Sequence, residues 1–72
     1  MNAMRPITVL VNGKAQQIPA EQRLSELVDA HTASRSGVAV AVDGEVVPRA
    51  CWPEHALAEG ARIEILTAVQ GG

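Results

Sequence analysis

At 72 residues the chain makes one domain, and a chain of this size buries only about 60% of its unfolded surface, which leaves no room for a large internal active site. Six Lys and Arg against eight Asp and Glu give a formal net charge of −2, and the cations are scattered singly, so there is no phosphate-binding footprint for nucleic acid. The apolar share is 47%, with Trp52 the single aromatic, which implies an aliphatic core and excludes base stacking on aromatic platforms.

Residues 1–5 are expected to be disordered ahead of the first strand. Ile7-Thr8-Val9-Leu10-Val11 is rich in β-branched residues and puts Ile7, Val9 and Val11 on one face. Asn12-Gly13 then supplies a two-residue hairpin turn before a returning strand, Ala15 to Ile18. From Pro19 onward, Leu24, Leu27, Val28 and His31 recur at i, i+3, i+4 and i+7, the apolar stripe of a helix lying on a sheet. Pro19 near the start and Glu21 and Glu26 in the early turns suit a helix N-terminus, and the polar stretch Thr32 to Gly37 ends it.

Val38-Ala39-Val40-Ala41-Val42 is apolar on both faces, as in an inner strand, with its alanine face expected to leave room for the helix. Asp43-Gly44 is a second tight turn, and Glu45-Val46-Val47 reads as a short edge strand halted by Pro48. Ala50 to Leu57, interrupted by Pro53, reads as a loop or single helical turn. Ala58-Glu59-Gly60 turns the chain into Ala61 to Leu66, with Ile63 and Ile65 inward and Arg62 and Glu64 outward. The order is ββαβββ, or ββαββ if Glu45 to Val47 is too short to count. That predicts a single α+β domain over 1–72, one helix packed on one mixed sheet of four to five strands.

Cys51 is the only cysteine, which excludes an internal disulfide and the usual secreted scaffold, and Trp52-Pro53 beside it points to a small buried hydrophobe. Neither His31 nor His55 has a Cys or carboxylate at metal-ligand spacing, so no metal site is expected. The longest apolar run, Val38 to Val42, is far too short to span a bilayer, and the N-terminus has no apolar h-region; a cytoplasmic protein without membrane contact is the expectation. No nucleophile, base and oxyanion set is present, so no catalytic residue is assigned. Trp52 reads as a structural plug or, if exposed, an interface anchor, and Arg49 as a surface cation on Trp52 or a partner contact.

The sequence ends at Gly71-Gly72, and Thr67 to Gly72 form a tether that extends about 20 Å. Glycine is about 7% of ordinary residues, so a chance pair at one fixed position has a probability of roughly 0.5%. Lacking a Cβ, two glycines thread a channel too narrow for side chains and present only a carboxylate.

These residues resemble the ubiquitin-like β-grasp sulfur carriers of the ThiS/MoaD family, and within it the thiamine-pathway carriers most closely. The resemblance is carried by Val38 to Val42 with its tight turn, Val47-Pro48-Arg49 with Trp52, Leu57, Gly60, Arg62-Ile63-Glu64-Ile65 and Ala68-Val69-Gln70-Gly71-Gly72. The N-terminal half matches in pattern, through the Asn12-Gly13 hairpin and the Leu24/Leu27 helix. The resemblance implies a β-grasp fold with a flexible C-terminal Gly-Gly tail, and a carrier with no cofactor or catalytic machinery of its own. An E1-like adenylating enzyme (ThiF/MoeB type) would use ATP to adenylate the Gly72 carboxylate. A sulfur donor enzyme would then displace AMP to leave a thiocarboxylate, and a thiazole synthase (ThiG type) would take up the sulfur. Ala68, Val69, Gln70 and Gly71 would thread into the partner.

The sheet face near the tail, with Leu66, Ala68 and Val69, is the expected docking surface and Arg49 a further candidate contact; the alternative is that Leu66 finishes the core and only Ala68 onward is free. Other classes stay open. A carrier of molybdopterin (MoaD) or cysteine (CysO) biosynthesis would have the same chemistry at Gly72, a ubiquitin-like modifier would form an amide to a target lysine, and a plain interaction module would not need Gly72 at all.

Overall fold

Two hairpins built on the same turn chemistry frame the molecule. Asn12 and Gly13 have φ of 51° and 85°, and Asp43 and Gly44 have 52° and 86°, the doubly positive pattern of a type I′ turn, whose twist matches that of the flanking strands. In the computed structural model, which describes residues 5–32 and 37–67, the first turn joins β1 (Pro6–Val11) to β2 (Lys14–Pro19) and the second joins β3 (Val38–Val42) to β4 (Glu45–Val46). Among the described residues a single α-helix, α1 (Leu24–His31), lies between the hairpins, and a 3₁₀ helix (Arg49–Glu54) leads from the second hairpin to β5 (Arg62–Thr67).

The strands form one mixed sheet in the order β2-β1-β5-β3-β4. The last strand in sequence therefore sits in the middle, parallel to β1 and antiparallel to β3. With α1 packed across one face, this is the α+β, ubiquitin-like β-grasp arrangement, with β4 short and at the edge as expected.

Alternation along the strands sorts the core. Val9 and Val11 of β1, Ile18 of β2, Val40 of β3 and Ile63 and Ile65 of β5 are buried from the sheet, and Leu24, Leu27 and Val28 from the helix. On β3 it is the valine face that meets the helix: Val40 is buried, Val38 and Val42 pack against the core, and Ala39 is exposed. This corrects the expectation that the alanines make room for α1. Valines remove more apolar area from water, so they take the inner face and leave the alanines on the open one.

The helix spans its apolar stripe, Leu24 to His31, but begins later than Pro19 and Glu21 suggest. Pro19 still pairs with Pro6 at the end of β2, the chain then turns through Ala20 and Glu21 with the Gln22 N–H donating to the Pro19 carbonyl at 3.0 Å, and Arg23 forms an isolated bridge with Ala56, while the Leu24 N–H donates to the His55 carbonyl at 3.1 Å. Glu21 thus precedes the helix, whereas Glu26 sits in its first turn and accepts the Arg23 backbone N–H at 2.9 Å, one half of a capping box.

The segment after β4 is a six-residue 3₁₀ helix rather than a single turn. Three residues per turn leave one inward position per turn, and Trp52 occupies it at 1% exposure, its indole N–H donating to the Val47 carbonyl at 2.9 Å. Trp52 is a core plug. Cys51 next to it is exposed, which corrects the expectation of a buried thiol: the inward place is already filled by the indole.

Candidate functional site

β5 is the strand that runs toward the C-terminal glycines, and the structure holds it on three sides. Ile63 and Ile65 anchor it to the core beneath. β3 pairs with it along its length, from Val42↔Ile63 to Val38↔Thr67. On the opposite flank β1 reaches only Val11↔Ile63, because the chain turns away at Asn12.

There the turn residue itself continues the ladder. The Asn12 backbone N–H donates to the Ile63 carbonyl at 2.8 Å; its side-chain oxygen accepts the Ile65 N–H at 2.9 Å, and its side-chain amide donates to the Ile65 carbonyl at 3.3 Å. Asp43 does the equivalent at the start of β5, donating its N–H to the Arg62 carbonyl at 2.7 Å and accepting the Arg62 N–H at 3.0 Å on its carboxylate. Sequence reading explains both residues as turn formers and misses their second role. The only local signal is the choice of Asn and Asp, rather than Gly, at the first turn position.

Leu66 alternates with the buried Ile65 and so lies on the sheet face away from α1, 64% exposed. It is opposite Ala39, while Ala41 is opposite Glu64 on one side and Val46 on the other. Direct cross-strand partners share a face, so Leu66, Ala39, Ala41 and the 75% exposed Val46 form an apolar stripe. Three adjacent strands make it about 10 Å wide. Exposure of Leu66 removes the alternative in which it completes the core. Val46, Ala39 and Ala41 were not anticipated as members of this surface, although alternation with Val47 and Val40 carried the signal.

Arg49 is exposed at the start of the 3₁₀ helix that follows β4. Ala68, Val69, Gln70, Gly71 and Gly72, the residues expected to enter a partner, lie outside the described residues, as do residues 1–4. An open groove lined by Leu10, Asp43, Arg62 and Glu64 lies near the Arg62 end of β5, the end opposite Thr67.

His31 is exposed, with Nε2 at 3.1 Å from the Gln16 side-chain oxygen, which accepts its proton in the Nε2–H tautomer. Among the described residues, no three His, Cys, Asp or Glu side chains are gathered closely enough to hold a metal ion, and no helix is long and apolar enough to cross a membrane.

Three comparisons agree with this geometry. The ThiS family model matches residues 9–72. The sulfur carrier protein ThiS of Escherichia coli (strain K12) is 31% identical over 64 residues, 89% of this chain and 97% of the relative. The crystal structure of thiamine biosynthesis protein ThiS from Geobacter metallireducens matches with a TM-score of 0.76 at 28% identity, over 92% of this chain and 100% of that one. With a family match that runs from within β1 to Gly72, on a sheet whose central strand leads toward those glycines, the chain belongs to the ThiS family.

Proposed function

We propose that the chain is a sulfur carrier for the thiazole part of thiamine, working in the cytoplasm as a covalent substrate of other enzymes rather than as a catalyst. The observation that carries the reading is the family match continuing through Gly71-Gly72. A carboxylate resists nucleophilic attack until one oxygen becomes part of a good leaving group. An E1-like adenylating enzyme of the ThiF/MoeB type supplies that by joining the Gly72 carboxylate to the AMP of ATP, with release of pyrophosphate. A sulfide equivalent from a donor enzyme then attacks the acyl carbon; a C–S bond forms, the C–O bond to AMP breaks, and a thiocarboxylate remains. Its sulfur is nucleophilic and passes to a thiazole synthase of the ThiG type.

Each part of the domain has a place in this scheme. The tail has a fixed point of departure, since β3 pairs with β5 as far as Thr67 while the core and the Asn12 side chain hold it at Ile65. The stripe around Leu66 is a docking surface beside that point, and residues 68–71 enter the partner's channel. Arg49 is a further contact.

The test is the intact mass of the full chain after incubation with ATP, a sulfur source and a thiamine-pathway adenylating enzyme. A gain equal to one oxygen exchanged for one sulfur, lost when Gly72 is deleted, supports the reading. No gain with an enzyme active on its own carrier overturns it, and sends the search to molybdopterin- and cysteine-pathway enzymes and then to amide-linked conjugates.

A further inference from the structure

β5 outruns its neighbour. β1 supports it to Val11↔Ile63, whereas β3 supports it to Val38↔Thr67. The last residues before the tail therefore have a strand on one flank only. On the other, the Asn12 side chain occupies the place of a missing strand residue, accepting the Ile65 N–H at 2.9 Å and donating to the Ile65 carbonyl at 3.3 Å. A primary amide carries an acceptor and donors in one plane, as a peptide group does, so it reproduces the two-point contact a neighbouring strand would make.

We infer that Asn12 is a positioning residue for acyl transfer at Gly72: by clamping Ile65 it sets the direction of the last residues of β5, Leu66 and Thr67, from which the tail follows. The inference rests on the carrier reading above. Two requirements meet at this position. Its φ of 51° favours Asn, Asp or Gly. The clamp needs an acceptor and a donor together, which an aspartate carboxylate and a glycine both lack. Asp would keep the acceptor for the Ile65 N–H but set a negative charge against the Ile65 carbonyl; Gly would keep the turn and remove the clamp. Asn alone meets both.

Direction matters because the partner holds the chain at two places, the docking stripe and the channel for the tail. When β5 is aimed wrongly between them, the stripe still docks but the carboxylate misses its in-line position, and a displacement of about 1 Å in a reacting group can cost on the order of a hundredfold in rate. The defect belongs in kcat rather than KM.

The experiment compares the full chain with Asn12→Gly and Asn12→Asp in two readouts. In pyrophosphate release by a thiamine-pathway adenylating enzyme, below the unfolding range of every variant, kcat is expected to fall about tenfold while KM stays within about twofold. In nuclear magnetic resonance of the free chain, the Ile65 amide is expected to lose exchange protection and Leu66 and Thr67 to lose backbone order. A purely structural role would lower stability and leave kcat unchanged in the folded variants; that result overturns the inference. If the unaltered chain is itself not adenylated, the carrier reading fails, and the free-chain readout decides alone: unchanged order at Leu66 and Thr67 in Asn12→Gly overturns the positioning role.

Discussion

Leu66 and Ala39 face each other across the antiparallel β3–β5 pair, on the side of the sheet turned away from α1, and both are exposed. A leucine there contributes little to the core, yet its small neighbour leaves the isobutyl group standing clear of the surface. The pair is thus suited to contact another protein rather than to stabilise this one.

Leu66→Glu should leave the urea midpoint within about 0.5 kcal/mol of the parent in stability, as for other exposed positions. Burying a leucine at an interface is worth about 1.5–3 kcal/mol, so affinity for the adenylating enzyme should fall about ten- to a hundredfold. Titration calorimetry reads the affinity; unchanged binding would show that the stripe is not the docking surface.

Trp52 combines the largest buried side chain with a hydrogen bond to the Val47 carbonyl at 2.9 Å. Trp52→Phe removes volume and leaves that carbonyl unpaired, an expected cost of about 2 kcal/mol. Trp52→Ala should cost about 3–5 kcal/mol, close to the roughly 5 kcal/mol total of a small domain, and yield a largely unfolded chain. Urea titration followed by far-ultraviolet circular dichroism distinguishes the two.

A Cβ built on Gly44 meets nothing within 4 Å, but its φ is +86°. The strain of Gly44→Ala is therefore in the backbone alone, about 1–2 kcal/mol. Gly44→Asn should cost less, because Asn tolerates the left-handed region. Equal losses in urea titrations of the two would contradict a conformational origin.

The exposed Cys51 thiol should react with a disulfide reagent in the native chain at one equivalent, without denaturant. Cys51→Ser should leave stability within about 0.5 kcal/mol and the mass gain at Gly72 intact. A thiol that reacts only on unfolding would restore the buried reading.

Much of the architecture was legible because it is local. Asn12-Gly13 and Asp43-Gly44 announce their hairpins through the backbone conformations those residues tolerate, and alternation put Ile63 and Ile65 inward with Arg62 and Glu64 outward, as observed. Local signals also misled where a distant partner intervened. Pro19 and Glu21 have the chemistry of a helix start, but the strand pairing of Pro19 with Pro6, a turn through Ala20 and Glu21 and the contact of Leu24 with His55 put the first helical residue at Leu24. Cys51 sits beside a buried tryptophan in sequence, and the winding of the 3₁₀ helix turns it outward.

What the sequence determined by itself is the inventory: two hairpins, one amphipathic helix and a final alternating strand before Gly71-Gly72, because each depends on residues a few positions apart. Only the tertiary structure decided that the final strand lies at the centre of the sheet, that the alanines of β3 and Leu66 share the open face, and that Asn12 grips Ile65 from 53 residues away. Turn geometry and alternation are set by neighbouring backbone sterics, whereas a side chain's burial or hydrogen-bond partner is set by whichever segment folding brings alongside it.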